Sequence, residues 1–172
     1  MNVADAPPTA FVAIPTLVTK RLLLRAFRRA DLDDYASLNA DREVLRYLVG
    51  GGPEPWDRGR SWRHMAFLLG HWQLGGSGTW AIEHRKTGEF LGFAGFYGPD
   101  GWPGFELAWT LARRFWGHGY ATESARRALA YAFLDLGKEH IISLIHPENH
   151  RSIRVAERIG ETPRGRIQHL GR

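Results

Sequence analysis

The sequence predicts an α/β, or α+β, fold in which one sheet is flanked by helices, and three observations carry that prediction. Apolar residues recur at helical spacing from Trp62 to Trp72. From Thr79 the pattern changes to period two, with two apolar runs joined by Lys86-Thr87-Gly88 as in a hairpin. A third such run leads through a glycine-containing loop into a helix, another strand and a last helix, which requires at least one strand-helix-strand crossover.

Residues 1–15, rich in Ala and Pro and without periodicity, read as a flexible lead-in, and 16–172 as one domain. Leu17 to Phe27 is β-compatible, with Leu22-Leu23-Leu24 at its centre. Asp31 is placed to cap a short helix carrying Leu32, Tyr35, Ala36 and Leu38, and a second short helix spans Arg42 to Leu48. Gly50-Gly51-Gly52-Pro53-Glu54-Pro55 breaks it. The next helix buries Trp62, Met65, Ala66, Leu69 and Trp72 and ends at Gly75-Gly76. In the hairpin Trp80–His84 and Phe90–Phe96, Gly92 and Gly95 mark a bulge or a close backbone approach. Phe105 to Leu111 forms a third strand. Ala121, Ala125, Ala128, Ala132 and Leu136 give the following helix its buried stripe, with Gly137 at its end. Ile141 to Ile145 reads as a strand, and Asn149 caps a last helix that buries Ile153, Ala156 and Ile159 before Gly160.

A chain of 172 residues, 44% hydrophobic and 24% charged, is long enough for one sizeable core. It has no cysteine, which excludes a disulfide framework, a thiolate nucleophile and cysteine-ligated metal sites. No stretch approaches the roughly 18 apolar residues of a membrane helix, and the start lacks a signal-peptide pattern, so a cytoplasmic protein with no membrane partner is expected. The net charge is +5, and lysine occurs only at Lys20, Lys86 and Lys138, so the basic side is almost all arginine. Arginine suits phosphate and carboxylate partners, although a genome rich in G and C accounts for the bias equally well. His64 with His71, and His146 with His150, lack a third ligand, so no metal is expected.

The segment Arg114-x-x-Gly117-x-Gly119 lies between a strand and a helix. Glycines there let successive backbone N–H groups turn toward the helix N-terminus, where the dipole favours an anion such as pyrophosphate. Arg113, Arg114 and His118 add charge or donors, and the Thr122 hydroxyl is one turn into the helix. A Walker loop would need a lysine, and a dinucleotide loop would follow the first strand; neither pattern is met.

Several blocks, in order and at matching spacing, resemble the GNAT superfamily of acyl-CoA-dependent N-acyltransferases, in particular its ribosomal-protein N-terminal acetyltransferase branch. They are Thr19-Lys20-Arg21-Leu22-Leu23-Leu24-Arg25, Trp80-Ala81-Ile82, Gly88-Glu89-Phe90-Leu91-Gly92, Glu106-Leu107, Phe115-Trp116-Gly117-His118-Gly119-Tyr120-Ala121-Thr122-Glu123, and His146-Pro147-Glu148-Asn149-x-x-Ser152-Ile153-Arg154-Val155. The resemblance runs from Leu17 to about Gly165 and implies a mixed, mainly antiparallel sheet. It also implies that the loop Arg114, Phe115, Trp116, Gly117, His118, Gly119, with Thr122 behind it, binds the pyrophosphate of acetyl-CoA. Leu107, Trp109 and Leu111 would lie along the pantetheine and polarise the acetyl carbonyl, Asn149 would contact the pantetheine arm, and Ser152 would protonate the leaving thiolate.

Acetyl transfer to an amine needs a neutral nucleophile, a site for the oxyanion and a proton for the thiolate. A bulge at Trp109 or Thr110 would expose a backbone donor for the oxyanion, and Glu106 ranks first as the base, ahead of Glu83 and His84. Plainer structural roles stay open: Asn149 as a helix cap, Ser152 as first-turn filler, Glu106 as a strand-edge carboxylate. In the resembled family the last helix is followed by Gly-Phe and the chain by a further hairpin strand. Here Gly160-Glu161 occurs and the chain comes out about one strand short, which leaves the C-terminal strand absent or truncated. The expected activity is acetyl-CoA-dependent N-acetyl transfer to a primary amine, a protein N-terminus or a small molecule, without a covalent acyl-enzyme. Nucleic acid is disfavoured as a partner and a homodimer is left open. The alternative is a CoA- or nucleic-acid-binding module of the same fold without turnover.

Overall fold

The computed structural model describes residues 11–48 and 54–167. Five strands pair in chain order, β1 (Leu17–Val18), β2 (Leu22–Arg25), β3 (Thr79–His84), β4 (Phe90–Tyr97) and β5 (Glu106–Leu111), each antiparallel to the next. Helices α1 (Leu32–Ala40), α2 (Arg42–Leu45) and α3 (Arg58–Gly75) precede β3, whereas α4 (Tyr120–Leu134) and α5 (His150–Ile159) follow β5. The sheet separates two clusters. On one side α4 buries Ala125, Ala128 and Ala132 against Leu22, Leu24, Ile82, Ala94 and Leu107. On the other, Tyr35, Leu38, Met65 and Leu68 of α1 and α3 pack against Ala81, Phe90 and Phe93.

A bulge between β3 and β4 lets adjacent residues serve opposite faces. Ile82 pairs with Gly92 and Glu83 with Phe90, so Leu91 is the extra residue. Phe90 consequently joins the α1/α3 cluster while Leu91 joins the α4 cluster. The expected close approach at the two glycines is present: a Cβ on Gly95 would lie 2.5 Å from Gly78 O, and one on Gly92 still closer to its neighbour in β5.

The structure corrects several local expectations. Leu17 to Phe27 is a hairpin, because Thr19 N donates to Leu22 O (3.0 Å) and turns the chain. The second short helix stops at Leu45, and residues 50–53 of the glycine-proline breaker lie outside the described residues. In α3 the buried side chains are Ser61, Met65, Leu68 and Trp72, while Trp62 and Ala66 face out. Trp72 sets that rotation: its ring meets Trp80 edge-on and its Nε1 donates to Thr79 O at 3.0 Å. Residues 11–15 lie against the body, where Val12 exchanges hydrogen bonds with Gln73 and Pro15 O accepts from Trp80 Nε1.

Asp31 occupies the capping position of α1 without capping it. Its two oxygens take the guanidinium of buried Arg25 at 2.8 and 2.7 Å, and one also accepts from Arg28 N. Arg25 Nε donates to Glu83 at 2.6 Å and Nη1 also to Ala26 O at 3.0 Å, so each nitrogen of the guanidinium has a partner. A buried cation needs such partners, and that need outweighs a cap. Asp31→Ala is expected to lower stability by about 3 kcal/mol, since it removes the bidentate partner and leaves the buried guanidinium with Glu83 as its one carboxylate. The measurement is the urea midpoint at constant m-value.

The segment 141–145 is not a strand. Ile142 forms a single parallel bridge with Glu106, with Leu107 N donating to Ile142 O (2.8 Å) and Ile142 N to Phe105 O (3.1 Å). Beyond that point side chains replace the ladder. Ser143 Oγ donates to Leu107 O at 2.6 Å, with Glu161 Oε1 3.0 Å away, and Leu144 N donates to Glu106 Oε1 at 3.3 Å. With its backbone partners usurped, the segment diverges from β5 and a cleft opens between them. Residues 161–167 contain no strand.

Candidate active site

The cleft widens into a cavity of about 510 Å³, bounded by β5, residues 143–146, the start of α5 and the polar side of α3. Its β5 wall is a half-free strand edge. Pairing with β4 is in unbroken register from Gly92 opposite Leu111 to Tyr97 opposite Glu106, so the bulge expected at Trp109 or Thr110 is not in β5. The free donor arises by alternation instead. Leu107 N points to Ile142, so the amides of Trp109 and Leu111 point the same way, whereas that of Thr110 turns to β4. Leu107 and Trp109 line the cavity, while Leu111 is buried and its carbonyl accepts from Trp116 Nε1 at 2.8 Å.

Glu106 enters the cavity from the first position of β5 and is 7% exposed. Burial pushes its carboxyl up to about 7, against the opposing effect of hydrogen bonds from Trp102 Nε1 (2.7 Å) and Leu144 N. Opposite it, Asn149 and Ser152 line the same cavity. Asn149 Oδ1 accepts from Ser152 N at 3.2 Å, so the residue is a helix cap here, and that cap leaves the Ser152 hydroxyl at the helix N-terminus. The structure therefore brings Glu106, Leu107, Trp109, Asn149 and Ser152 to one cavity.

The glycine loop approaches from α4. Arg113–Phe115 form a 3-10 turn, after which Gly117 (φ 81°) and Gly119 (φ 79°) adopt the left-handed conformation. Among the described residues the amides of 117–122 have no protein acceptor, the state in which a loop and helix N-terminus receive an anion. Phe115 packs against both core clusters. Arg113 and Arg114 are drawn toward carboxylates, Asp41 at 3.0 Å and Asp34 at 3.7 Å, rather than gathered at the glycines. The second pair is more than half exposed, so it is weak. Thr122 lines a separate depression with Arg21, Arg126, Arg127 and Arg158 on the outer side of α4.

Two groups of residues escaped the sequence reading. Arg21 latches the loop from the β1–β2 turn: Nη1 donates to His118 O (2.9 Å), Nε to Glu123 (2.6 Å), and the guanidinium lies 4.4 Å over Tyr120. Both ends of this latch stand in the blocks that carry the family resemblance, about a hundred residues apart, which hides their contact. The second group is the α3 wall. His64 is hydrogen-bonded to the buried Tyr35 hydroxyl through Nδ1, and burial, then the nearby Arg60 charge, pushes it down to about 4. Residues 60, 63 and 64 recur at i, i+3 and i+4 on the polar side of the helix, the one signal that would have grouped them. Among the described residues no cluster of His, Asp or Glu is placed to hold a metal ion.

Comparison with known proteins gives the class: this is the architecture of an acetyltransferase. Residues 21–162 match the family model described as an acetyltransferase (GNAT) domain. The chain is 30% identical over 142 residues to the uncharacterized N-acetyltransferase p20 of Bacillus licheniformis, covering 81% of this chain and 78% of that one. Among solved structures, an acetyltransferase from Agrobacterium tumefaciens str. C58 superposes with a TM-score of 0.81 at 32% identity, over 96% of this chain and 95% of the other. The fold alone is shared with RimL, a ribosomal-protein acetyltransferase solved in complex with coenzyme A (TM-score 0.76, 17% identity, 90% and 88% covered). The chain belongs to the GNAT acetyltransferase family and is an N-acetyltransferase.

Proposed function

We propose that the protein moves an acetyl group from acetyl-CoA directly to a primary amine held in the cleft, within one acyltransferase domain over 16–172. The observation that carries this reading is the meeting of Glu106 and Ser152, from β5 and α5, in one cavity beside a free strand edge. Acetyl-CoA supplies the activated thioester. The unpaired amides of 117–122 suit its pyrophosphate, and the open edge at Trp109 suits the amide groups of its pantetheine arm.

Glu106 takes the proton that the amine loses, and a carboxyl titrating near neutrality suits that task. The N–C bond forms and the C–S bond breaks. The departing sulfur gains a proton delivered through Ser152 Oγ from solvent, favoured by the dipole of α5. An α-amino group, with its ordinary pKa of about 7.7–8.0, needs less help from a base than a lysine at about 10.4. No helix among the described residues is long and apolar enough to cross a membrane.

Thermal shift with acetyl-CoA tests the phosphate placement. Gly119→Glu sets a carboxylate among the amides of the loop, at a φ of 79° that side chains rarely adopt. It is expected to abolish the shift while leaving the far-ultraviolet dichroism unchanged; undiminished affinity for acetyl-CoA would overturn the placement.

A further inference from the structure

The α3 side of the cavity carries charges that acetyl transfer itself does not use. Arg60 and Arg63, one turn apart, line it together with Trp56, Tyr47 and His64. Glu106 is the one carboxylate among the lining residues, and it stands on the opposite wall at the start of β5. Arginines on neighbouring segments have carboxylate partners: Arg28 with Glu83, Arg46 with Glu43, Arg58 with Asp33, Arg113 with Asp41 and Arg114 with Asp34. Arg63 has none among the described residues. Asp57, at the start of the same helix, is committed to the cap, accepting from Arg60 N. Arg60 is held in place by its guanidinium stacking 4.4 Å over the Trp56 ring. Burial keeps His64 uncharged near neutrality, so the positive charge of this wall comes from its arginines alone.

We infer that the acceptor is an amine that also carries an anionic group, a carboxylate or a phosphate, read by Arg63 in the positive field it shares with Arg60, while its amine reaches toward Glu106. The inference rests on the transferase reading above. A polyamine meets two guanidinium groups on this wall and finds no acidic partner there, whereas an anion gains charge-assisted hydrogen bonds from a planar fork. The aromatic lining of Tyr47, Trp56 and Trp102 suits an apolar body between the two charged ends.

The experiment follows thiol release from acetyl-CoA with matched acceptors. L-phenylalanine is compared with L-phenylalanine amide and phenethylamine, phosphoethanolamine with ethanolamine, and Ala-Asp peptides with Ala-Lys peptides, with spermidine as the polycation. Within at least one pair kcat/KM is expected to favour the anionic member by roughly tenfold or more, the scale of a charge-assisted hydrogen bond. The pair that responds identifies the source of the anion. In Arg63→Gln that ratio is expected to fall about tenfold, mostly through KM, with partial recovery in Arg63→Lys. Equal or better use of the neutral and cationic members, or a ratio unmoved by both Arg63→Gln and Arg60→Gln, would overturn the inference and leave the transferase reading standing. Absence of thiol release with every amine would overturn both.

Discussion

Glu106→Gln is expected to lower kcat/KM by roughly 10²–10⁴-fold, the range over which a positioned general base contributes. The pH profile gives the sharper reading. Burial holds the wild-type carboxyl up at about 7, so kcat/KM should rise as pH increases through that value, on top of the rising limb of the acceptor amine, and level off only once the amine too is neutral. In the variant that limb should vanish, leaving the limb that belongs to the acceptor amine. Stability moves in the opposite sense. A carboxyl raised in the folded state favours folding below its unfolded value, and that contribution is lost as pH rises toward 7. The wild type therefore keeps a desolvated carboxylate above neutrality at a cost on the order of 3 kcal/mol, which Glu106→Gln should recover in part. A variant that keeps its activity, or keeps the limb near 7, would remove Glu106 from the role of base.

Gly92→Ala is expected to destabilise the fold by about 4 kcal/mol or more, the range reserved for strain and overpacking in a core. A Cβ there would sit 2.1 Å from Thr110 O and 2.7 Å from Leu111 Cα, at a φ of 149°. Backbone atoms of β5, paired with β4 in unbroken register, cannot yield as a flexible side chain can. Because Gly92 faces Leu111 across the β4–β5 ladder, any relief must come from β5 moving away. That strand is also the cavity wall, so any surviving protein should show a raised KM for acetyl-CoA. Urea denaturation reads the first effect and initial rates the second; a stability loss under about 1 kcal/mol would show that the strands can separate more freely than their packing implies.

Much of the fold was legible because its signals are local. The β3–β4 hairpin, the helix ended by Gly76, the alanine stripe of α4 and the Asn149 cap each depend on residues within a few positions of one another. The glycine loop was legible for the same reason, since two left-handed residues before a helix define its geometry. The site was legible in part. Glu106, Asn149 and Ser152 do share a cavity, but the free edge of β5 comes from hydrogen-bond alternation rather than from a bulge at Trp109 or Thr110.

What stayed hidden depends on competition between distant groups for the same atoms. Ile141 to Ile145 has the composition of a strand, yet the Ser143 hydroxyl and the Glu106 carboxyl take the positions that backbone partners would hold. Asp31 has the placement of a cap, yet buried Arg25 claims both of its oxygens. Arg21 and Glu123 stand 102 positions apart and still meet beside the glycine loop. By itself the sequence made most of the element types, their order and the glycine loop legible, because these rest on periodicity, caps and glycines that act over one or two turns, while its motif blocks carried the resemblance to the family. Only the tertiary structure decided where β5 parts from its neighbour, which amides are left free and that Arg63, without a carboxylate partner among the described residues, lines the cavity, because those follow from how polar groups find partners across the whole chain.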